Sequence, residues 1–184
     1  MANVSQIRGL VPLHSGGNMP RMNIHGPYYV KASEDVNIGE VLVMDAADDG
    51  YVSHPAKSSG DQIVGVAASY VGASDSDRQV DVWDDPEQEF EIQCSGAATI
   101  ANVGQFADVT VASGATFDAG YAPKRANLIG FSQDYVTLGD IGDTKAQLQI
   151  VGKGNRPGND WGSAYVKLRV RIAEHMYATA ASLT

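Results

Sequence analysis

Between Tyr165 and Ile172 the chain alternates strictly: Val166, Leu168, Val170 and Ile172 are apolar, while Tyr165, Lys167, Arg169 and Arg171 are polar or amphipathic. A two-residue period places these sets on opposite faces of an extended strand, a separation that a helix cannot make. The segment therefore predicts a strand with one buried and one wet face. Glu89–Cys94 repeats the pattern with Phe90, Ile92 and Cys94 inward, and segments 79–83 and 147–151 follow it. Segments 40–44 and 62–67 are apolar almost without interruption, which predicts interior strands covered on both faces.

Between the predicted strands lie turn signals. Asp48-Asp49-Gly50 before Tyr51 predicts a hairpin, because Asp-Gly accepts the positive φ angles of a tight turn. Ser59-Gly60-Asp61, Asp85-Pro86, Ser95-Gly96 and Gly152-Lys153-Gly154 mark further breaks. Twenty Gly and seven Pro count against a helical bundle, and only a short helical turn is expected, within 171–182. The expected fold is all-β: a single compact β-sandwich or barrel-like domain with an extended N-terminal arm. A chain of 184 residues buries roughly 70% of its unfolded surface as one domain. The expected divisions are an aperiodic arm at 1–27, the β domain at 28–175 and a C-terminal tail at 176–184.

The formal charge of −9 is unevenly spread. Residues 34–91 hold 15 acidic groups against Lys57 and Arg78, whereas residues 1–33 carry a net +3 and residues 92–184 a net +1. An acidic middle third repels phosphate, so direct nucleic-acid binding is not expected. Cys94 is the single cysteine, which excludes an intramolecular disulfide. No apolar run approaches the ~18–20 residues of a membrane span, and the first thirty residues lack a secretory h-region. The expectation is a chain made in the cytoplasm with no membrane partner.

The chemistry-bearing patterns are weak. Asp75-Ser76-Asp77 and Asp84-Asp85 offer oxygen ligands, but the spacing of a calcium loop fails, and a solvated turn face is expected. His14, His25, His54 and His175 show no ligand spacing; His175 is expected to pack or hydrogen-bond at the end of the last strand. Gly130-Phe131-Ser132-Gln133-Asp134 lacks the final Gly and the following helix of a nucleophile elbow. Gly152-Lys153-Gly154 is not followed by a helix, as a phosphate cradle requires. Cys94 is expected to be a buried, unreactive thiol. No catalytic, metal or cofactor site emerges, and the pattern points to a structural or interaction module, not an enzyme.

Several segments occur in a distinctive order. Gly9-Leu10-Val11-Pro12-Leu13 and Gly16-Gly17 come first, then Tyr28-Tyr29-Val30, Ile38–Val43 and Ile63–Ala67. Asp84-Asp85-Pro86, Phe90–Gln93 and Gly104–Asp108 come next, then Leu148-Gln149-Ile150, Arg156–Asp160 and Val170–His175. In this order the chain resembles the capsid decoration, or cement, proteins of tailed bacteriophages. Residues 119–146 and the extension through Met176–Thr184 depart from the pattern. The resemblance implies a virion protein on the outer surface of an icosahedral capsid. Its partners would be the major capsid protein and further copies of itself, in a homotrimer.

On that reading the arm faces the capsid. Arg8 and Arg21 would meet acidic groups, and Leu10, Val11, Pro12, Leu13 and Met19 would be apolar anchors. The Gly/Asn-rich loop bearing Arg156, Asn159 and Trp161 is expected to contact sister subunits, and residues 34–91 to face outward. An alternative from another class is a glycan-binding adhesion module of the virion, using Trp83, Trp161 and neighbouring carboxylates. An acidic hydrolase built on Asp84 or Asp85 is a third reading.

Overall fold

The computed structural model describes residues 8–13, 19–45, 50–53, 62–110, 132, 134–142 and 147–178. His14–Asn18, Asp48-Asp49, His54, Ser59-Gly60-Asp61, Gly130-Phe131, Gln133, residues 119–131 and 143–146, and the tail from Thr179 lie outside them.

The strands are β1 (Val11–Pro12), β2 (Tyr28–Val30), β3 (Val41–Met44), β4 (Val52–Ser53), β5 (Ile63–Ala67) and β6 (Arg78–Val80). They continue with β7 (Val82–Trp83), β8 (Glu89–Gln93), β9 (Phe106–Ala107), β10 (Leu148–Lys153) and β11 (Lys167–Ile172). Single 3-10 turns at Ile100–Asn102 and Leu138–Asp140 are the only helical elements among the described residues. The protein is all-β, and its sheets pack as a sandwich-like domain.

Three antiparallel sheets form, ordered β1-β8-β11-β10-β9, β4-β3-β5-β7 and β2-β6. Alternation in β11 works as its pattern predicts: Leu168, Val170 and Ile172 are buried and Arg169 is exposed. Tyr165 is not part of the strand; it takes a left-handed turn conformation (φ 60°), and β11 begins at Lys167. Across the β8–β11 ladder, Lys167 faces Gln93, Arg169 faces Glu91 and Arg171 faces Glu89. Apolar residues thus line one side of this sheet and a charged ladder the other.

The inward side meets the four-stranded sheet in one large core. Leu10, Val41, Val43, Ile63, Val66, Phe90, Ile92, Leu148, Ile150, Leu168 and Val170 belong to it. Burying each large side chain there contributes roughly 1.5–3 kcal/mol. The opposite side of the four-stranded sheet covers a second core with the two-stranded sheet, where Tyr28, Val30, Leu42, Val52, Val64, Val80 and Val82 meet. Strands β3 and β5 are therefore covered on both faces, as their unbroken apolar runs predict.

The β3–β5 pairing contains a register shift: Leu42 pairs with Gly65 but Val43 pairs with Ile63. This extra residue, a bulge at Val64, lets Ile63 and Val66 both reach the large core while Val64 enters the small one.

Residues 8–13, expected to belong to an extended arm, run along the edge of the five-stranded sheet. Val11 and Pro12 pair with Glu91 and Phe90. Leu10 N–H donates to Gly39 O at 2.8 Å, and Leu13 N–H to Glu89 O at 2.8 Å. Gly9 (φ 64°) and Gly39 (φ 87°) touch backbone to backbone, and a Cβ on Gly9 would overlap the Gly39 carbonyl oxygen. Pro12 suits an edge position, where a missing donor costs little.

Candidate functional site

Beyond β1, residues 23–25 lie against β7, the edge strand of the four-stranded sheet. Asn23 fastens them: its N–H donates to Val82 O at 2.8 Å, its Nδ2 to Asp81 Oδ1 at 2.8 Å, and its Oδ1 accepts Val82 N–H at 2.9 Å. The left-handed backbone at Asn23 (φ 52°) is one that Asn tolerates well. Asp84 supplies a second fastening. Its carboxylate accepts the N–H groups of Ile24 and His25, both at 2.7 Å, and the Tyr28 hydroxyl at 2.8 Å. Burial, together with hydrogen bonds to the Tyr177 side chain and to Asp84, pushes the Tyr28 phenol well above its ordinary pKa.

Asp84 was expected on a solvated turn face, and the structure overturns that: it is fully buried. The phase of its own strand carries the signal, because Val80 and Val82 point inward and Asp84 is next in step. Glu40 and Glu91 are also buried, so residues 34–91 do not simply face outward. Asn37 N–H donates to Glu40 Oε2 at 2.6 Å. Burial, reinforced by Asp134, raises the Glu40 carboxyl to about 8. In the partly matched nucleophile motif, Ser132 is buried and its Oγ accepts the Asp134 N–H at 3.1 Å.

Tied down at Asn23 and Asp84, the segment turns apolar side chains to solvent. Met19 is 76% exposed, Met22 52% and Ile24 37%, with the exposed Arg21 among them. Of the residues assigned to capsid binding, Arg8, Met19 and Arg21 are exposed. Leu10 is buried in the chain's own core, and Val11, Pro12 and Leu13 are half-buried at the sheet edge. Gln88 Nε2 donates to Leu13 O at 2.7 Å, so this stretch is held within the chain.

The loop assigned to subunit contacts folds back over the outer face of β8 and β11. Arg156 grips the buried Glu91 with two nitrogens, Nη2 to Oε1 at 2.7 Å and Nε to Oε2 at 3.0 Å. Asn159 is buried; its Nδ2 donates to Gly154 O and Lys167 O, and its Oδ1 accepts Lys167 N–H at 2.9 Å. Trp161 is half-buried and packs against the large core. The three residues thus hold their own loop in place. Under it, Lys167 Nζ donates to Gln93 Oε1 at 2.8 Å, and burial lowers its pKa to about 8 against the pull of Glu91.

Cys94 is buried, and burial raises its thiol pKa. Among the described residues no cluster of three or more His, Cys, Asp or Glu is placed to hold a metal ion. No helix there is long and apolar enough to cross a membrane. Comparison of the chain with protein-family models, curated proteins and solved structures found no match.

Proposed function

We propose that this chain is a structural virion protein that binds the outside of a tailed-phage capsid and stabilises it by bridging capsid subunits. The observation that carries this reading is the strip Met19–Ile24, clamped at its Asn23–His25 end by Asn23 and Asp84, which displays Met19, Arg21, Met22 and Ile24 to solvent. A monomer gains nothing by ordering apolar side chains in water, whereas a docking partner does. Pre-ordering the strip lowers the entropic cost of docking. The order of motifs along the chain supports the same reading.

Stabilisation follows from linkage. A protein that binds the assembled shell and not its dissociated subunits shifts the equilibrium toward the shell by mass action. Symmetric shells present symmetric sites, which favours copies meeting about local axes as a homotrimer. Trp83 and Trp161, the residues of the glycan-binding alternative, are half-buried and pack against the large core, which favours the capsid reading.

The test uses full-length chain and capsids stripped of it. Wild-type protein should co-sediment with the capsids and raise their disruption temperature. Combined Met19→Ser, Met22→Ser and Ile24→Ser should remove co-sedimentation while leaving circular dichroism and the thermal midpoint unchanged. Undiminished binding by that variant defeats the strip assignment, and no binding by the wild type defeats the capsid reading.

A further inference from the structure

After β11 the chain turns back and is fastened beside β5. Ile63 N–H donates to Glu174 O at 2.8 Å, and Met176 N–H donates to Ile63 O at 2.8 Å. Ala178 N–H closes a turn on His175 O at 3.0 Å. The Tyr177 ring stacks on His25, with centroids 4.1 Å apart. Its side chain also hydrogen-bonds with Tyr28, so residues 174–178 cover the corner where Asp84 collects its donors.

His175 sits at the centre of this turn, 5% exposed. Its Nδ1 accepts the Tyr177 N–H at 3.1 Å. An acceptor nitrogen carries no proton, so the ring is neutral and its proton lies on Nε2. That Nε2 is buried without a hydrogen-bond partner among the described residues. A second proton has only Nδ1 to occupy, where it would point at the Tyr177 N–H. The closed turn therefore disfavours an imidazolium.

We propose that residues 174–178 are an acid-released clasp, in which protonation of His175 breaks its bond to Tyr177 and frees the segment from β5 and from the Tyr28–Asp84 corner.

The charged and titratable groups around the ring are His25 just after the strip and Tyr28 of β2, Asp84 and Asp85 after β7, and Glu174 and Tyr177 from the clasp itself. Asp84 and Asp85 favour the imidazolium and His25 opposes it, but burial outweighs them and lowers the pKa of His175 to about 4. Asp84 does not rescue the cation, because its oxygens already accept Ile24, His25 and Tyr28. A folded value below the ordinary 6.5 leaves the closed form unpenalised above pH 6.5 and progressively penalised from there down to about 4. Opening uncovers the Ile63 end of β5. The device does not depend on capsid attachment, and its readout uses the isolated chain.

Hydrogen exchange on the full chain tests it. Protection factors for the Met176, Ala178 and Ile63 amides should fall about twentyfold between pH 7 and pH 5, while those of Val170 in β11 hold. In the NMR titration, the His175 ring should protonate below pH 5. His175→Asn keeps an acceptor without a titrating proton and should abolish the fall; His25→Gln should leave it in place. Equal protection at both pH values overturns the clasp, as does a fall that persists in His175→Asn or vanishes in His25→Gln. A ring titrating near 6.5 also overturns it, with no variant required.

Discussion

The large core and the small core share strands β3 and β5, yet they are closed off from water by different means. Around the large core, alternating side chains such as Phe90, Ile92, Leu168 and Val170 bury area on extended ladders. Around the small core, the two-stranded sheet is short, and polar groups do the fastening: Asn23 and Asp84 tie residues 23–28 to β7, and His175 closes the turn that the backbone bonds of Ile63 hold beside β5. Apolar burial is non-directional and tolerates small displacements, whereas a buried hydrogen bond is lost over a fraction of an ångström or by one proton. The small core is the part of the molecule that acid and single-atom changes should reach first.

The largest expected effect comes from the apolar side. Phe90→Ala removes the largest fully buried side chain among the described residues and should cost about 4 kcal/mol in urea unfolding, with a single transition for both cores. Separate transitions would show the two cores to be independent, against their shared strands.

Glu40 gives the next largest effect, with a sign opposite to that of His175. Its folded pKa of about 8 lies above the ordinary carboxyl value of 4.5, so its contribution is fully present below pH 4.5 and lost as pH rises toward 8. Stability should decline by about 3 kcal/mol between pH 4.5 and 7 on this account. Glu40→Gln should flatten that slope in chemical denaturation at several pH values. His175 acts in the other direction, losing stability as pH falls from 6.5 toward 4. An unchanged slope in Glu40→Gln would show that Glu40 does not set the pH dependence of stability.

Asp84→Ala leaves the Ile24 and His25 N–H groups and the Tyr28 hydroxyl without their acceptor. It should cost about 2–3 kcal/mol. Hydrogen exchange should locate the loss at residues 23–28 and 174–178 before it reaches β8 or β11. A uniform loss across both cores would erase the distinction between them.

The larger core was legible because a two-residue period admits one arrangement over several strands. Segments 89–94, 147–151 and 165–172 announce their buried faces, and β8, β10 and β11 bury them. The smaller core was legible only in part. Val80 and Val82 set the phase that carries Asp84 inward, but an acidic residue beside Asp85-Pro86 reads locally as a turn. The residues expected to bind partners were the least legible. Arg156, Asn159 and Trp161 stand in a loop whose composition suggests an exposed surface, and they hold that loop to β8 and β11. Leu10 reads as a free anchor until Gly9 and Gly39 bring it against the core.

Sequence alone determined the all-β class, the faces of the long strands and the burial of Cys94, because local periodicity dictates which side of a strand meets water. Tertiary structure decided the bulge at Val64, the burial of Asp84 and Glu40, and the lowered pKa of His175. Each depends on a partner distant along the chain: Val43 for the bulge, Ile24 and Tyr28 for Asp84, Asp134 for Glu40 and the small-core corner for His175. Periodicity acts between near neighbours, and hydrogen bonding and desolvation act between whichever groups the fold brings together.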